Sequence, residues 1–300
     1  MWEEGAFALI DCLGWKGIWN RKIGASKKPI SPSKILKKVD QIEGAVREAI
    51  NDLRFFFSKA YINFTPHIAF LSDTVVISVP MIEHEDQRVT EGMRRAFAVQ
   101  MACLMVAHVL DSFVEEEPYL SMRGCVTYGK YSIKGSTFVG PAVDEAANNY
   151  ELPDGAFVWV HPKGAKQLEH LQDLRIDLEV KAKSELPEES FEAIKFIFSA
   201  IADPPIVLRD YEMPLKDGRT LVSMIVNPLM VIRESEQRAI TIGRYDSSFD
   251  KDTVEVLLKK QNTMSFLREA ADASLEFYEQ PLDLELLGKL KEALFESKSA

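Results

Sequence analysis

The sequence predicts an α+β fold in which a ferredoxin-like sheet carries helices on one face. Short apolar segments, typical of buried strands, alternate with two long helical patterns. Their order is strand, helix, hairpin, helix, strand, helix, strand, which is the order of a ferredoxin-like unit with further elements appended. From about residue 247 onward the pattern is helical again. We therefore predict one domain over residues 1–230 and a helical C-terminal extension over residues 231–300.

The first elements are defined by their apolar spacing. Residues 6–13, AFALIDCL, form an apolar run interrupted only by Asp11, which predicts a buried strand. Apolar residues then recur every three or four positions over residues 31–60, which predicts an amphipathic helix capped at Ser33. Residues 67–80 contain two short apolar runs around a Ser-Asp pair, which is typical of a hairpin.

The later elements follow from the same two periodicities and from glycine and proline breaks. We predict helices over residues 86–115 and 164–171, and a third helix in FVGPAVDEAANNYEL, residues 138–152, that begins after its Gly-Pro pair. We predict strands over residues 121–133, 155–162, 205–215 and 219–229, the last two joined by the turn KDG. Residues 173–230 are otherwise hard to assign, with a polar stretch over 181–190.

The composition predicts a cytoplasmic protein that binds neither nucleic acid nor membranes. Hydrophobic residues make up 46% of the chain and charged residues 27%, which is ordinary for a globular protein. We expect no membrane span, which needs roughly 18 apolar residues. The acidic start MWEEGAFALIDCLG does not resemble a signal peptide. The net charge of −10 disfavours nucleic-acid binding, because that needs a basic surface.

The cysteines and histidines do not indicate a metal site. Cys12, Cys103 and Cys125 lack CxxC spacing and lie in apolar runs, which predicts neither disulfides nor a zinc site. The five histidines show no ligand spacing and are expected to have structural roles.

Two carboxylates are predicted to meet at one end of the sheet. Asp11 ends the first strand and Asp73 lies in the hairpin turn, and these strands are neighbours in the predicted sheet. Two close carboxylates repel each other and are costly to desolvate, which favours a bound cation. Backbone amides in the turn after Asp11 can hold phosphate oxygens; the turn residues are Cys12, Leu13, Gly14 and Trp15. The alternative is that Asp73 only stabilises its turn.

Three segments, taken in order, resemble the class III nucleotidyl cyclase family. FALIDCLGW is similar to the first metal-binding strand of that family, and FLSDTVVISV to its second metal-binding hairpin. MRGCVTYGKYSIKGSTFVGPAVDEAANNYE resembles the strand, loop and catalytic helix that follow. The resemblance covers roughly residues 5–230 and implies the class III cyclase catalytic fold.

The resemblance also implies a reaction and an assembly. Asp11 and Asp73 would bind two divalent ions, Mg²⁺ or Mn²⁺. The ribose 3′-hydroxyl of a nucleoside triphosphate would attack the α-phosphate, releasing pyrophosphate and a 3′,5′-cyclic monophosphate. The family works as a head-to-tail dimer, so the active sites would lie at a homodimer interface, with base-reading and transition-state residues from the partner.

Several positions depart from the family pattern. Adenylyl cyclases read adenine with a Lys and an Asp at positions that hold Ala69 and Thr137 here. The transition-state Asn and Arg of the family correspond to Asp144 and Asn148, which share a helix face by their spacing. Lys216, in MPLKDGRTL, is similar in context to a phosphate-contacting Lys of the family.

This combination resembles the pyrimidine cyclases of bacterial Pycsar anti-phage systems, whose cyclic nucleotide activates a separate effector without stable contact. The resemblance implies UTP as the substrate, or less favourably CTP, because the metal carboxylates are kept and the purine readers lost. Bulky residues near the site, Trp15, Phe70 or Tyr150, would fill the space of a purine. Two alternatives remain: an adenylyl or guanylyl cyclase, and a catalytically silent nucleotide-binding module.

Three side chains can each be interpreted in two ways. Trp15 is either a core residue or a stacking platform. Arg123 either pairs with an acid at the sheet edge or contacts phosphate. Lys216 is either solvated in its turn or binds phosphate.

Overall fold

The computed structural model describes residues 2–15, 18, 22–23, 28–59, 64–82, 90–171, 207–230, 232, 235–249 and 253–278. The strands are β1 Glu3–Cys12, β2 Lys22–Ile23, β3 Lys28–Pro29, β4 His67–Leu71, β5 Thr74–Pro80, β6 Met122–Lys134, β7 Thr137–Val139, β8 Val158–Val160, β9 Leu208–Pro214 and β10 Thr220–Val226. The helices are α1 Pro32–Lys59, α2 Glu91–Glu115, α3 Pro141–Asn149, α4 Pro162–Leu168, α5 Ser235–Ser248 and α6 Val254–Tyr278.

The main sheet has the strand order β4-β5-β1-β6-β8-β10-β9, with β7 paired to β6. Its first four strands are antiparallel and, with α1 and α2 in the connections, form a ferredoxin-like unit. Strand β8 joins this unit in parallel with β6, and β10 and β9 extend the sheet as an antiparallel hairpin. The predicted α+β class with a ferredoxin-like sheet is confirmed.

Helices α1 and α2 cover one face of the sheet. Ala6, Ala8 and Ile10 point to this face and join the largest buried cluster, together with most of α2. Thr90 caps α2 by accepting a hydrogen bond from the Met93 amide at 3.3 Å. Helix α2 is long and apolar enough to cross a membrane by composition alone, which our expectation from the sequence missed, but most of this stretch is buried inside the protein.

The opposite face is also covered, so the prediction of helices on one face is wrong. Phe7, which alternates with the residues above, packs against Ala142 and Ala146 of α3. Further along this face, Phe266 of α6 packs against Phe157 and Tyr211, with ring centroids 5.7 and 5.1 Å apart. The pattern of one amphipathic helix shows which side of it is buried but not which sheet face it covers.

Helix α5 packs against α2, and α6 packs against the sheet. Tyr245 of α5 is fully buried and donates a hydrogen bond to the Leu110 carbonyl of α2 at 3.4 Å. The predicted domain boundary at residue 230 stays a prediction. Helix α5 begins at Ser235, before the start of the helical pattern predicted at about residue 247.

Other differences are local. Helix α1 begins at Pro32, and the side chain of Ser31, not of Ser33, accepts a hydrogen bond from the Lys34 amide at 3.3 Å. The polar stretch over residues 181–190 and the tail beyond residue 278 lie outside the described residues. The predicted strands over 205–215 and 219–229 are present as β9 and β10.

Candidate functional site

The structure brings Asp11 and Asp73 to the same end of the sheet. Asp11 lies opposite Thr74 of β5, the residue after Asp73, because β1 and β5 are paired in that register. The Cys12 amide donates a hydrogen bond to the Asp73 carbonyl at 2.9 Å, which ties the hairpin turn to the end of β1. Ser72, the first turn residue, has a φ of 62°, as this tight two-residue connection requires. The local backbone therefore fixes both carboxylates at one place.

The electrostatics of Asp11 show that the two carboxylates interact. Burial raises the pKa of Asp11, and the negative charge of Asp73 raises it further, while Arg123 opposes the shift. The site is a carboxylate pair: among the described residues, no group of three or more His, Cys, Asp or Glu side chains could hold a metal ion. A cation here would need further ligands from substrate or water.

Arg123 lies directly beside this pair. It faces Asp11 across the β1–β6 ladder, and its Nη2 atom is 3.4 Å from Asp11 Oδ2. The same Nη2 atom is 2.6 Å from Glu151 Oε1, and the guanidinium lies 5.6 Å from the centre of the Tyr150 ring. The side chain of Arg123 is only 11% exposed. Of its two predicted readings, the pairing with acids is thus present in the structure.

Lys216 reaches the same group of charges from the turn between β9 and β10. Its Nζ atom is 3.4 Å from Glu151 Oε2, and its amide donates to the Leu152 carbonyl at 3.2 Å. Burial alone would raise the pKa of Glu151, but Arg123 and then Lys216 outweigh it and hold that pKa below its usual value. Glu151 is the residue that the sequence analysis missed. The sequence feature that could have pointed to it is an acidic residue just after α3, and many helices are followed by one.

The turn after Asp11 is partly used for internal hydrogen bonds. The Cys12 amide donates to Asp73, as described above, and the Leu13 amide donates to the Ser121 carbonyl at 2.8 Å. Of the four predicted phosphate-binding residues, Gly14 and Trp15 therefore remain as candidate amide donors. Gly14 is exposed with a φ of 73°, a conformation that favours glycine. The Trp15 side chain is partly buried against the core.

The predicted transition-state residues lie on α3. Asp144 and Asn148 are both exposed and one helical turn apart, so they share a solvent-facing surface. No ion pair between described residues connects either side chain to Asp11 or Asp73. Their role in a partner's site stays a prediction.

The two predicted base-reading positions lie on strands that approach each other. Ala69 is on β4, opposite Val76 of β5, and Thr137 is exposed at the start of β7. Phe138 of β7 contacts the ring of His67 of β4, with centroids 5.7 Å apart. Of the bulky residues predicted near the site, Phe70 packs on the core and Tyr150 lies under Arg123.

Comparisons with known proteins find distant likenesses among solved structures. No protein family model and no curated protein matches the chain. The catalytic core of a rhodopsin-guanylyl cyclase with converted specificity, solved with ATPαS, is 8% identical over 56% of this chain and 83% of its own, with a TM-score of 0.36. The adenylyl cyclase CyaB from P. aeruginosa is 12% identical over 56% of this chain and 82% of its own, also with a TM-score of 0.36.

A bacterial light-regulated adenylyl cyclase is 14% identical over 56% of this chain and 45% of its own, with a TM-score of 0.32. All three TM-scores lie below 0.5.

Proposed function

We propose that the protein is a nucleotidyl cyclase, which converts a nucleoside triphosphate to its 3′,5′-cyclic monophosphate and pyrophosphate. The observation that carries the proposal is the placement of Asp11 beside Asp73 at the end of β1, within a ferredoxin-like sheet. This arrangement is what the sequence resemblance to class III cyclases implies for their metal-binding carboxylates.

The carboxylate pair suits Mg²⁺ or Mn²⁺. Oxygen ligands are those that these ions prefer. Burial and the nearby charge of Asp73 both raise the pKa of Asp11, so a cation between the two carboxylates would offset an existing penalty. Asp11 and Asp73 would hold the ions, and triphosphate oxygens would complete the coordination. Bound ions would lower the pKa of the ribose 3′-hydroxyl and neutralise the triphosphate.

The other residues of the site would bind and orient the substrate. The guanidinium of Arg123 and the ammonium of Lys216 would contact phosphate oxygens, with which Arg forms paired hydrogen bonds. The amides of Gly14 and Trp15 would add neutral donors. The 3′-hydroxyl and the α-phosphate belong to one molecule, so positioning and charge stabilisation are what the protein must supply. Asp144 and Asn148 would act from the second chain of a homodimer.

For the substrate we favour a pyrimidine nucleotide, UTP before CTP. Ala69 and Thr137 stand where purine-reading side chains are expected, and neither offers a charged group to a base. The cyclic pyrimidine nucleotide would act as an anti-phage messenger for a separate effector, in the cytoplasm. The alternatives are a cyclase for ATP or GTP and a silent nucleotide-binding module.

Assays with four nucleoside triphosphates distinguish these three functions. The purified full chain would be incubated with Mn²⁺ and UTP, CTP, ATP or GTP, and cyclic products and pyrophosphate measured by chromatography and mass spectrometry. We expect cyclic UMP as the main product. Product from ATP or GTP alone would replace the pyrimidine assignment and keep the cyclase. No pyrophosphate from any of the four would overturn the proposed activity.

A further inference from the structure

Glu151 joins two cations of the same chain. Its Oε1 atom is 2.6 Å from Arg123 Nη2, and its Oε2 atom is 3.4 Å from Lys216 Nζ. The two oxygens of one carboxylate are thus each paired with a different cation. Arg123 in turn reaches Asp11 at 3.4 Å, so the chain of charges ends at the carboxylate pair.

The cations and the carboxylate differ in how firmly they are held. Arg123 is 11% exposed, and it is fixed by Asp11 on one side and by the Tyr150 ring on the other. Glu151 is 52% exposed, so its carboxylate can turn into solvent at little cost in hydration. Arg123 is thus held in place, whereas the carboxylate of Glu151 remains open to solvent.

We propose that Glu151 is a positioning residue that holds Arg123 and Lys216 as a ready-made phosphate-binding pair and is displaced when the substrate's phosphates arrive. This inference rests on the proposed function and deepens it. Its consequence is that Lys216 serves the site that contains Asp11 of its own chain.

The argument for displacement is one of charge. A carboxylate carries one negative charge and two oxygens, whereas the terminal phosphates of a triphosphate carry more charge and more oxygens. Both anions use the same donors on Arg123 and Lys216. Until it is displaced, the negative charge of Glu151 offsets the repulsion between the two cations. Its contact with Arg123 Nη2 also keeps the guanidinium beside Asp11. Removing the charge of Glu151 while keeping its size should therefore make the pair a stronger anion receptor.

The test measures binding of inorganic pyrophosphate to the full chain by calorimetry, in the presence of EDTA, so that only the protein's own cations contribute. We expect Glu151→Gln to bind pyrophosphate about tenfold more tightly than the unmodified chain, a change of about 1.4 kcal/mol. Glu151→Asp, which keeps the charge, should show no such gain. Glu43→Gln is the matched control, since it removes one carboxylate from an exposed Glu–Arg pair on α1.

The outcomes separate the possible roles of Glu151. A merely structural role predicts weaker binding in Glu151→Gln, and a general charge effect predicts an equal gain in Glu43→Gln; either result would overturn the inference. Adding Lys216→Met to Glu151→Gln should remove the gain, and a gain that persists would exclude Lys216 from the site. Because no turnover is involved, a chain that makes no cyclic product yet shows the gain would refute the cyclase proposal alone.

Discussion

Arg123 shows how one residue acquires its role from its cross-strand neighbour. Its position opposite Asp11 is set by the register of β1 and β6, and its contact with Glu151 is set by the end of α3. Because the guanidinium is buried, its ion pairs are stronger than exposed ion pairs, which contribute little to stability. The planar guanidinium can meet an acid on its edge and the Tyr150 ring on its face at once. A lysine ammonium lacks this planar, forked arrangement of donors.

We therefore expect Arg123→Lys to reduce kcat/KM for the nucleotide by roughly ten- to a hundredfold, since hydrogen bonds to charged groups contribute about 1.5–3 kcal/mol. Steady-state kinetics would measure the effect, and thermal unfolding would show that the fold is retained. Arg47→Lys, in an exposed pair on α1, is the control. Equal kinetics for the two variants would remove Arg123 from the substrate site.

The packing of α5 on α2 partly buries Asp111, an acid that lies outside the proposed site. Burial raises the pKa of Asp111 on α2 to about 6, Glu115 adds to the shift, and Arg244 of α5 opposes it. The folded chain therefore holds a proton on Asp111 more tightly than the unfolded chain does. This contribution favours folding below pH 4 and is lost as the pH rises from about 4 through about 6.

Asp111→Asn should accordingly raise the free energy of unfolding at pH 7.5 by on the order of 2 kcal/mol, with a smaller gain at pH 4.5. Urea unfolding at the two pH values would measure both. The variant Asp40→Asn, at an exposed position on α1, should change neither value. If the gain from Asp111→Asn were the same at both pH values, titration of Asp111 would not be its cause.

In a homodimer, the residues of the proposed site would be divided between the two chains. Asp11, Asp73, Arg123 and Lys216 are connected within one chain, through Glu151 and the end of β1. Asp144 and Asn148 lie on an exposed face of α3 outside this network. A homodimer would then combine a metal and phosphate half from one chain with an α3 face from the other.

Mixtures of inactive variants test this division. Asp73→Ala chains mixed with Asn148→Ala chains should regain about a quarter to a half of the activity expected of intact sites, because one site in each mixed dimer is complete. Asp73→Ala mixed with Lys216→Ala should stay inactive, since both changes fall on the same half. Rescue in both mixtures would place Lys216 in the partner's half, and rescue in neither would contradict shared sites.

The sequence was sufficient for the order of the elements, because the periods of apolar residues in strands and helices differ clearly. It also paired the strands that carry Asp11 and Asp73. It could not give the cross-strand register, and so left two interpretations of Arg123 open. It missed Glu151 because an acid that follows a helix is common. The helical pattern was recognised only from about residue 247 although α5 begins at Ser235, because the few apolar residues of α5, such as Ile240 and Ile242, form no extended stripe. The second covered face of the sheet was not predicted, because its contacts involve small side chains, such as that of Ala142 against Phe7.

The most direct test of the proposed metal-dependent cyclase activity is Asp73→Asn, which keeps the size of the side chain and the turn while removing one charge of the pair. With Mn²⁺ and the best of the four nucleotides, cyclic product would be quantified by mass spectrometry for this variant and for the unmodified chain. We predict that product formation falls at least a hundredfold in Asp73→Asn, with unchanged thermal stability, since charge stabilisation by bound metal contributes several kcal/mol. Full activity of Asp73→Asn would contradict a role for the Asp11–Asp73 pair in catalysis.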